Sequence, residues 1–115
     1  MKTLFICYPQ CSTCQKAKKF LLTNEIEFEE RNIKTETPSA QELKEYHLKS
    51  GLNLKQLFNT SGNSYRELGL KDTFDSLTPE EAYVLLAKDG MLIKRPILVH
   101  GDKVNFGFKE ENWTL

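Results

Sequence analysis

Two cysteines stand at the junction of a predicted strand and a predicted helix. A short apolar run, Leu4–Tyr8, ends at a proline and is typical of a buried strand. Apolar residues with helical spacing follow over Ser12–Thr23 and predict a helix. Cys11 and Cys14 therefore lie at the start of that helix, three positions apart on one helical face and close enough to form a disulfide.

This position favours thiol chemistry. A helix N-terminus carries unpaired N–H groups and roughly half a positive charge, so it stabilises a thiolate at Cys11. Cysteine pairs with this spacing are common in redox sites. The alternative is a pair of incidental core cysteines, because free cysteine packs well as a small hydrophobe. A helix start is polar and exposed, so we predict that Cys11 and Cys14 are a catalytic redox pair.

A third cysteine, Cys7, raises the question of a metal. The Cys7-x3-Cys11-x2-Cys14 spacing is similar to the cluster-binding triplet of radical S-adenosylmethionine enzymes. In those enzymes the triplet lies in a loop, whereas Cys7 lies inside a predicted strand. A zinc site needs a fourth ligand, and His47 and His100 are distant in sequence. We predict no metal and no bound cofactor, and a core role for Cys7.

Charge and length exclude several classes of protein. Sixteen basic and sixteen acidic side chains give a net charge of zero, whereas direct nucleic-acid binding relies on a basic excess. No apolar stretch approaches the ~18 residues of a membrane span, and the first residues lack the features of a signal peptide. We expect one cytoplasmic domain over residues 1–115, with no contact to membranes or nucleic acid.

The remaining patterns predict an α/β fold. Glu27–Ile33 is a second strand near a sheet edge, joined to the first by a right-handed crossover and parallel to it. Helical signals fill about residues 38–90, including capping boxes at Ser39 and Thr78. These signals predict a helical block inserted between two groups of strands.

The end of the chain predicts a hairpin. Ile97–His100 and Lys103–Phe108 are strands joined by a two-residue turn. Residues 109–115 are expected to form a short helix anchored by Trp113. Together the elements predict a small mixed sheet flanked by helices, and a redox cysteine pair after the first strand makes this fold thioredoxin-like.

Arg95 and Pro96 precede the hairpin. In thioredoxin-like folds a cis-proline at this point faces the redox cysteines, and cis peptide bonds are essentially confined to proline. Arg95 would then bring a fixed positive charge to the site. The alternative is a proline that merely starts a strand, beside a solvated arginine.

At this point the chain resembles the arsenate reductase-like (ArsC/Spx) family of thioredoxin-fold proteins. The resemblance covers nearly the whole chain and rests on Tyr8-Pro9-x-Cys11-x-Thr13-Cys14-x-Lys16-Ala17, Asn59-Thr60-Ser61-Gly62, Tyr65-Arg66-x-Leu68, Ile93-Lys94-Arg95-Pro96-Ile97 and Gly107-Phe108. It implies a thioredoxin fold with an inserted helical bundle and a cis Arg-Pro peptide beside the nucleophilic cysteine. The substrate-binding residues that we assign on this basis are Ser12, Thr13, Arg95 and Pro96.

Departures from the family pattern bear on the activity. Arsenate reductases coupled to glutaredoxin hold the oxyanion with several arginines, because an oxyanion needs several charge-assisted donors. Arg95 matches one of these positions, but the others fall near Asn59 and Phe108. Cys14 replaces a residue that is usually serine in that branch. Arg66 is the cation that would compensate.

The resemblance implies three alternative functions. The first is a thiol reductase that uses Cys11 and Cys14, with glutathione, thioredoxin or glutaredoxin as electron donor and a thiol, disulfide or oxyanion as substrate. The second is an Spx-like redox-sensing regulator that binds RNA polymerase through the helical block. The third is an arsenate reductase. We favour the thiol reductase.

Overall fold

A computed structural model describes residues 3–109 and 113. In this part of the chain the longest helix follows the first strand, a block of helices separates the second strand from the third, and a turn joins the last two strands directly. The strands are β1 (Thr3–Cys7), β2 (Glu29–Asn32), β3 (Ile97–His100) and β4 (Lys103–Phe106). The α-helices are α1 (Ser12–Thr23), α2 (Ala40–Ser50), α3 (Asn63–Glu67), α4 (Leu70–Thr73) and α5 (Pro79–Lys88). Short 3-10 turns cover Leu54–Leu57, Phe74–Ser76 and Gly90–Leu92.

The four strands form one mixed sheet in the order β2-β1-β3-β4. β1 and β2 are parallel, whereas β1 with β3 and β3 with β4 are antiparallel. The predicted α/β, thioredoxin-like architecture is therefore confirmed. Because β1 is central, its C-terminal end opens directly onto the start of α1.

Alternation along β1 divides the core into two clusters. Phe5 and Cys7 face α1, where they pack with Ala17 and Leu21 of the helix. Ile6 points to the opposite face of the sheet and joins the cluster that the helical block covers. This period-two pattern is the reason that the block and α1 lie on opposite sides of the sheet.

The predicted helix Ser12–Thr23 and the predicted strand Ile97–His100 are confirmed residue for residue. The second strand is shorter than the predicted Glu27–Ile33, and it lies at the sheet edge as expected. The first strand is shifted by one residue from the predicted Leu4–Tyr8. In the hairpin, Lys103–Phe106 replaces the predicted Lys103–Phe108 because Gly107 adopts a positive φ of 83°, which ends the extended conformation.

The helical block lies between β2 and β3, and its two longest helices, α2 and α5, begin at the predicted caps. Ser39 and Thr78 each accept a hydrogen bond from the backbone N–H three residues on, and Glu42 and Glu81 complete the two capping boxes. Within the described residues, no helix is long and apolar enough to cross a bilayer. The predicted C-terminal helix falls mostly outside the described residues.

Gly90 connects the block to the sheet through a close approach of two backbones. A Cβ at this position would collide with the carbonyl oxygen of Ile33 and lie 2.8 Å from its carbonyl carbon. Backbone atoms cannot move aside as the end of a long side chain can. We therefore expect Gly90→Ala to destabilise the protein by about 3 kcal/mol, measured by urea denaturation.

Gly51→Ala is the matched control. Gly51 has a φ of 69° but no atom within 4 Å of its Cβ position, so only the left-handed backbone conformation opposes alanine. That cost is about 1 kcal/mol. A Gly90→Ala variant that is no less stable than Gly51→Ala would contradict the close approach.

Candidate active site

Cys11 is the N-cap residue of α1. Its backbone is extended, with φ −84° and ψ 125°, and its side chain makes no capping hydrogen bond. The Cys11 N–H donates to the Tyr8 carbonyl at 2.9 Å, which closes a tight turn between β1 and α1. The sulfur is half-buried and stands at the positive end of the helix, as the sequence predicts.

Cys14 lies behind Cys11 in the first turn of α1 and is only 2% exposed. The Tyr8 N–H donates to its Sγ at 3.3 Å. A hydrogen bond with Cys7 and burial raise the pKa of Cys14 above that of an ordinary thiol. Cys14 is therefore held protonated in the reduced protein, and the Tyr8 N–H is ready to stabilise the thiolate when it forms.

Cys7 is a core residue of β1, as predicted, with an exposure of 2%. Its thiol has polar neighbours on both sides. It interacts with Cys14, and its Sγ donates to Oε2 of Glu30 at 3.9 Å. Lys18 pairs with the other oxygen of that carboxylate at 2.8 Å.

The Arg95–Pro96 peptide is cis, as the family resemblance implies. The Arg95 guanidinium lies 5.7 Å from the centroid of the Tyr8 ring and donates to the sulfur of Met91 at 3.0 Å. Neither partner is an anion, and among the described residues no carboxylate pairs with Arg95. Its charge is therefore free to meet a ligand.

Cys11 and Arg95 line one cleft of about 760 Å³. The part of its lining that the structure describes comes from the start of α1, the segment before α3, the segment before β3 and the end of the hairpin. The lining residues are Cys11, Thr13, Leu52, Asn53, Lys55, Gln56, Phe58, Asn59, Thr60, Ser61, Lys94, Arg95, Asn105, Phe106, Gly107, Phe108, Lys109 and Trp113.

A short antiparallel pairing brings two of these segments together. Phe58 and Ile93 form an isolated bridge. On either side, the Lys94 N–H donates to the Leu57 carbonyl and the Asn59 N–H donates to the Leu92 carbonyl, both at 2.8 Å. This pairing sets the Asn59-to-Gly62 loop beside Lys94 and Arg95, and Gly62 fits there because a Cβ would meet the Asn59 side chain at 2.6 Å.

The charge of the cleft was not predicted from the sequence. Lys55, Lys94 and Lys109 line it together with Arg95, and none of the described lining residues is acidic. Lys94 reaches the cleft along the hairpin, because Gly107 has no Cβ to obstruct its Cε, which would lie 3.0 Å away. The lysine of the Lys-Arg-Pro motif is the signal that could have indicated this role.

The predicted substrate-binding residues differ in whether they line the cleft. Thr13 and Arg95 line the cleft, whereas Ser12 and Pro96 do not. The Pro96 carbonyl already accepts a hydrogen bond from the Gly107 N–H at 2.8 Å. Asn59 and Phe108, the two positions without a family arginine, do line it.

Arg66 does not compensate for those positions, because it lies outside the cleft and donates to Asn63 at 3.2 Å. The two histidines have structural contacts elsewhere. His47 bridges the Tyr83 hydroxyl and the Leu52 carbonyl, and His100 bonds Thr3.

Comparison with known proteins connects this site to one family. The ArsC family model matches residues 7–114. The Bacillus subtilis protein YusI is 50% identical over 118 residues, which cover 99% of this chain and 100% of YusI. The regulatory protein MgsR of the same bacterium is 33% identical over 90% of this chain and 81% of its own length.

Solved structures of similar proteins superpose on this chain over most of its length. An ArsC family related protein from Bacteroides fragilis superposes with a TM-score of 0.94 at 50% identity, covering 98% of this chain and 95% of that one. A possible arsenate reductase from Streptococcus mutans has a TM-score of 0.87 at 46% identity, covering 93% of this chain and 91% of that one.

Proposed function

We propose that this chain, which belongs to the ArsC family, is a thiol–disulfide oxidoreductase that reduces anionic disulfides. One observation carries the proposal: a sulfur at a helix N-terminus, Cys11, shares a cleft with four cations and no described anion. Glutathione, whose peptide carries two carboxylates, fits such a cleft by charge. Glutathione or a protein of the thioredoxin or glutaredoxin class is the proposed electron donor.

The reaction begins with the Cys11 thiolate. It attacks one sulfur of the substrate disulfide, and the other sulfur leaves as a thiolate, so that a mixed disulfide forms at Cys11. Arg95 binds an anionic group of the substrate during this step.

Cys14 completes the turnover. It loses its proton, and its thiolate attacks Cys11 Sγ, which expels the second substrate thiolate and leaves a Cys11–Cys14 disulfide. The Tyr8 N–H stabilises the Cys14 thiolate at this moment. Two thiols of the electron donor then reduce the disulfide and restore the starting state.

The Cys14→Ser variant tests the proposal by trapping the first step. Incubated with oxidised glutathione, it is expected to accumulate one glutathione per chain, bound at Cys11, whereas the wild type proceeds to an intramolecular disulfide. Intact-mass spectrometry separates the two products. A Cys14→Ser variant that takes up no glutathione, or takes it up elsewhere, would overturn the mechanism.

Similarity to MgsR supports a second candidate, a redox-sensing regulator. A Cys11–Cys14 disulfide would remove the Cys14 thiol from its contact with the end of β1, and the helical block would present the surface for RNA polymerase. This function predicts stable association with the polymerase in one redox state and negligible turnover. A pull-down with purified polymerase under reducing and oxidising conditions distinguishes it from the reductase.

Arsenate reduction is the third candidate, since the similar Streptococcus mutans protein is described as a possible arsenate reductase. The cations Lys94 and Arg95 are the groups that would hold the oxyanion beside Cys11. The test is saturable arsenate-dependent turnover in the presence of glutathione and glutaredoxin.

A further inference from the structure

The two-cysteine mechanism leaves one buried thiol unused. Cys7 is as buried as Cys14, belongs to the same cluster and interacts with its sulfur. The position of Cys14 Sγ, 3.3 Å from the backbone nitrogen that follows Cys7, fixes the helix sulfur against the end of β1. Cys14 thus has a thiol neighbour on each side, Cys11 toward the cleft and Cys7 toward the core.

Cys7 also has a proton acceptor. Its Sγ donates to the Glu30 carboxylate, which is ion-paired with Lys18 and a third exposed. A cysteine that serves only to fill the core needs no such contact, since its neighbours are normally apolar. The carboxylate connects the buried thiol to solvent.

From this geometry we infer that Cys7 is a second resolving cysteine, which takes over the disulfide from Cys11. This step rests on the proposed function, because it begins with the Cys11–Cys14 disulfide. Cys7 gives its proton to Glu30, and its sulfur attacks Cys14 Sγ. The Cys11–Cys14 bond breaks, a Cys7–Cys14 bond forms, and Cys11 leaves as a thiolate at the helix N-terminus.

The exchange changes no overall oxidation state, because one disulfide replaces another and one proton passes from Cys7 to solvent or Cys11. Its result is a buried disulfide and a free Cys11 in the cleft. The oxidised protein can therefore accept a further thiol adduct at Cys11. A site with only two cysteines cannot hold a disulfide and a thiol adduct at the same time.

Differential labelling tests the exchange. The wild type is oxidised with glutathione disulfide, denatured in excess N-ethylmaleimide, then reduced and treated with iodoacetamide. All three cysteines lie in the tryptic peptide 3–16, whose fragment spectrum assigns each label. We expect molecules with N-ethylmaleimide on Cys11 and carbamidomethyl on Cys7 and Cys14, and intact masses that combine one disulfide with one glutathione.

The Cys7→Ala variant is the reference. It should form the Cys11–Cys14 disulfide but never show a free Cys11 in its oxidised form. If wild-type molecules always carry N-ethylmaleimide on Cys7 while both proteins form the Cys11–Cys14 disulfide, the exchange is wrong and the reductase stands. If neither forms that disulfide, the proposed function itself fails.

Glu30→Gln tests the proton acceptor without touching a cysteine. It should slow the appearance of free Cys11 by about tenfold or more, because the Cys7 proton loses its acceptor, and leave the rate of Cys11–Cys14 formation unchanged. Glu27→Gln, an exposed carboxylate outside the cluster, is the matched control. Equal rates in the two variants would exclude the role of Glu30.

Discussion

Replacing Cys11 by serine is expected to lower disulfide turnover by about 10³-fold or more, because a hydroxyl without a general base is a far weaker nucleophile than a thiolate. The fold should survive the change. Cys11 makes no capping hydrogen bond, and serine is a preferred N-cap residue, so α1 should be as stable or slightly more stable. Steady-state turnover of a glutathione mixed disulfide, with a thermal melt of each protein, measures both effects.

Cys14→Ser is the control for this loss. It keeps the nucleophile and should release one equivalent of product per chain in a rapid first phase, whereas Cys11→Ser should release none. Retention of half or more of the wild-type turnover in Cys11→Ser would show that the nucleophile is another residue.

The second large effect is expected at Arg95. Arg95→Gln should lower kcat/KM for an anionic glutathione disulfide by about 10- to 100-fold, the value of one charge-assisted contact of about 1.5–3 kcal/mol. Arg95 has no described carboxylate partner, so its charge is available to substrate. Turnover of neutral 2-hydroxyethyl disulfide should change far less, and the ratio of the two substrates is the measurement.

Arg66→Gln makes the same chemical change outside the cleft and should leave both substrates unaffected. An equal loss for the anionic and the neutral disulfide in Arg95→Gln would mean that the guanidinium acts on Cys11 itself. In that case the proposed role of Arg95 in binding the substrate would be wrong.

Local signals were sufficient for the framework of this protein. The Ser12–Thr23 helix has regular apolar spacing, and the caps at Ser39 and Thr78 each satisfy helix N–H groups through neighbours in the chain. The edge strand was predicted too long because charged residues fill it, so its ends depend on pairing with β1 rather than on an apolar pattern.

The cleft was harder to predict because distant segments build it. Lys55 and Lys109 are more than fifty residues apart, and no local pattern indicates that their segments meet. Their meeting depends on the bridge between Phe58 and Ile93, which no local periodicity encodes. The contact of Cys7 with Cys14 likewise follows from packing of α1 on β1, although the position of Cys7 inside a predicted apolar strand did indicate a core residue.

The separation of charge in the cleft has a consequence for encounter with other molecules. Among the residues that the structure describes, four of fifteen basic side chains line one cleft and none of fourteen acidic ones does, so the rest of the described chain carries a surplus of three acidic groups. Charge is therefore unevenly distributed over the described part of the chain, although the sequence as a whole has a net charge of zero. An anionic partner is turned toward Cys11 as it approaches, within a Debye length of about 8 Å at physiological salt, and added salt slows this capture even though the protein as a whole is neutral.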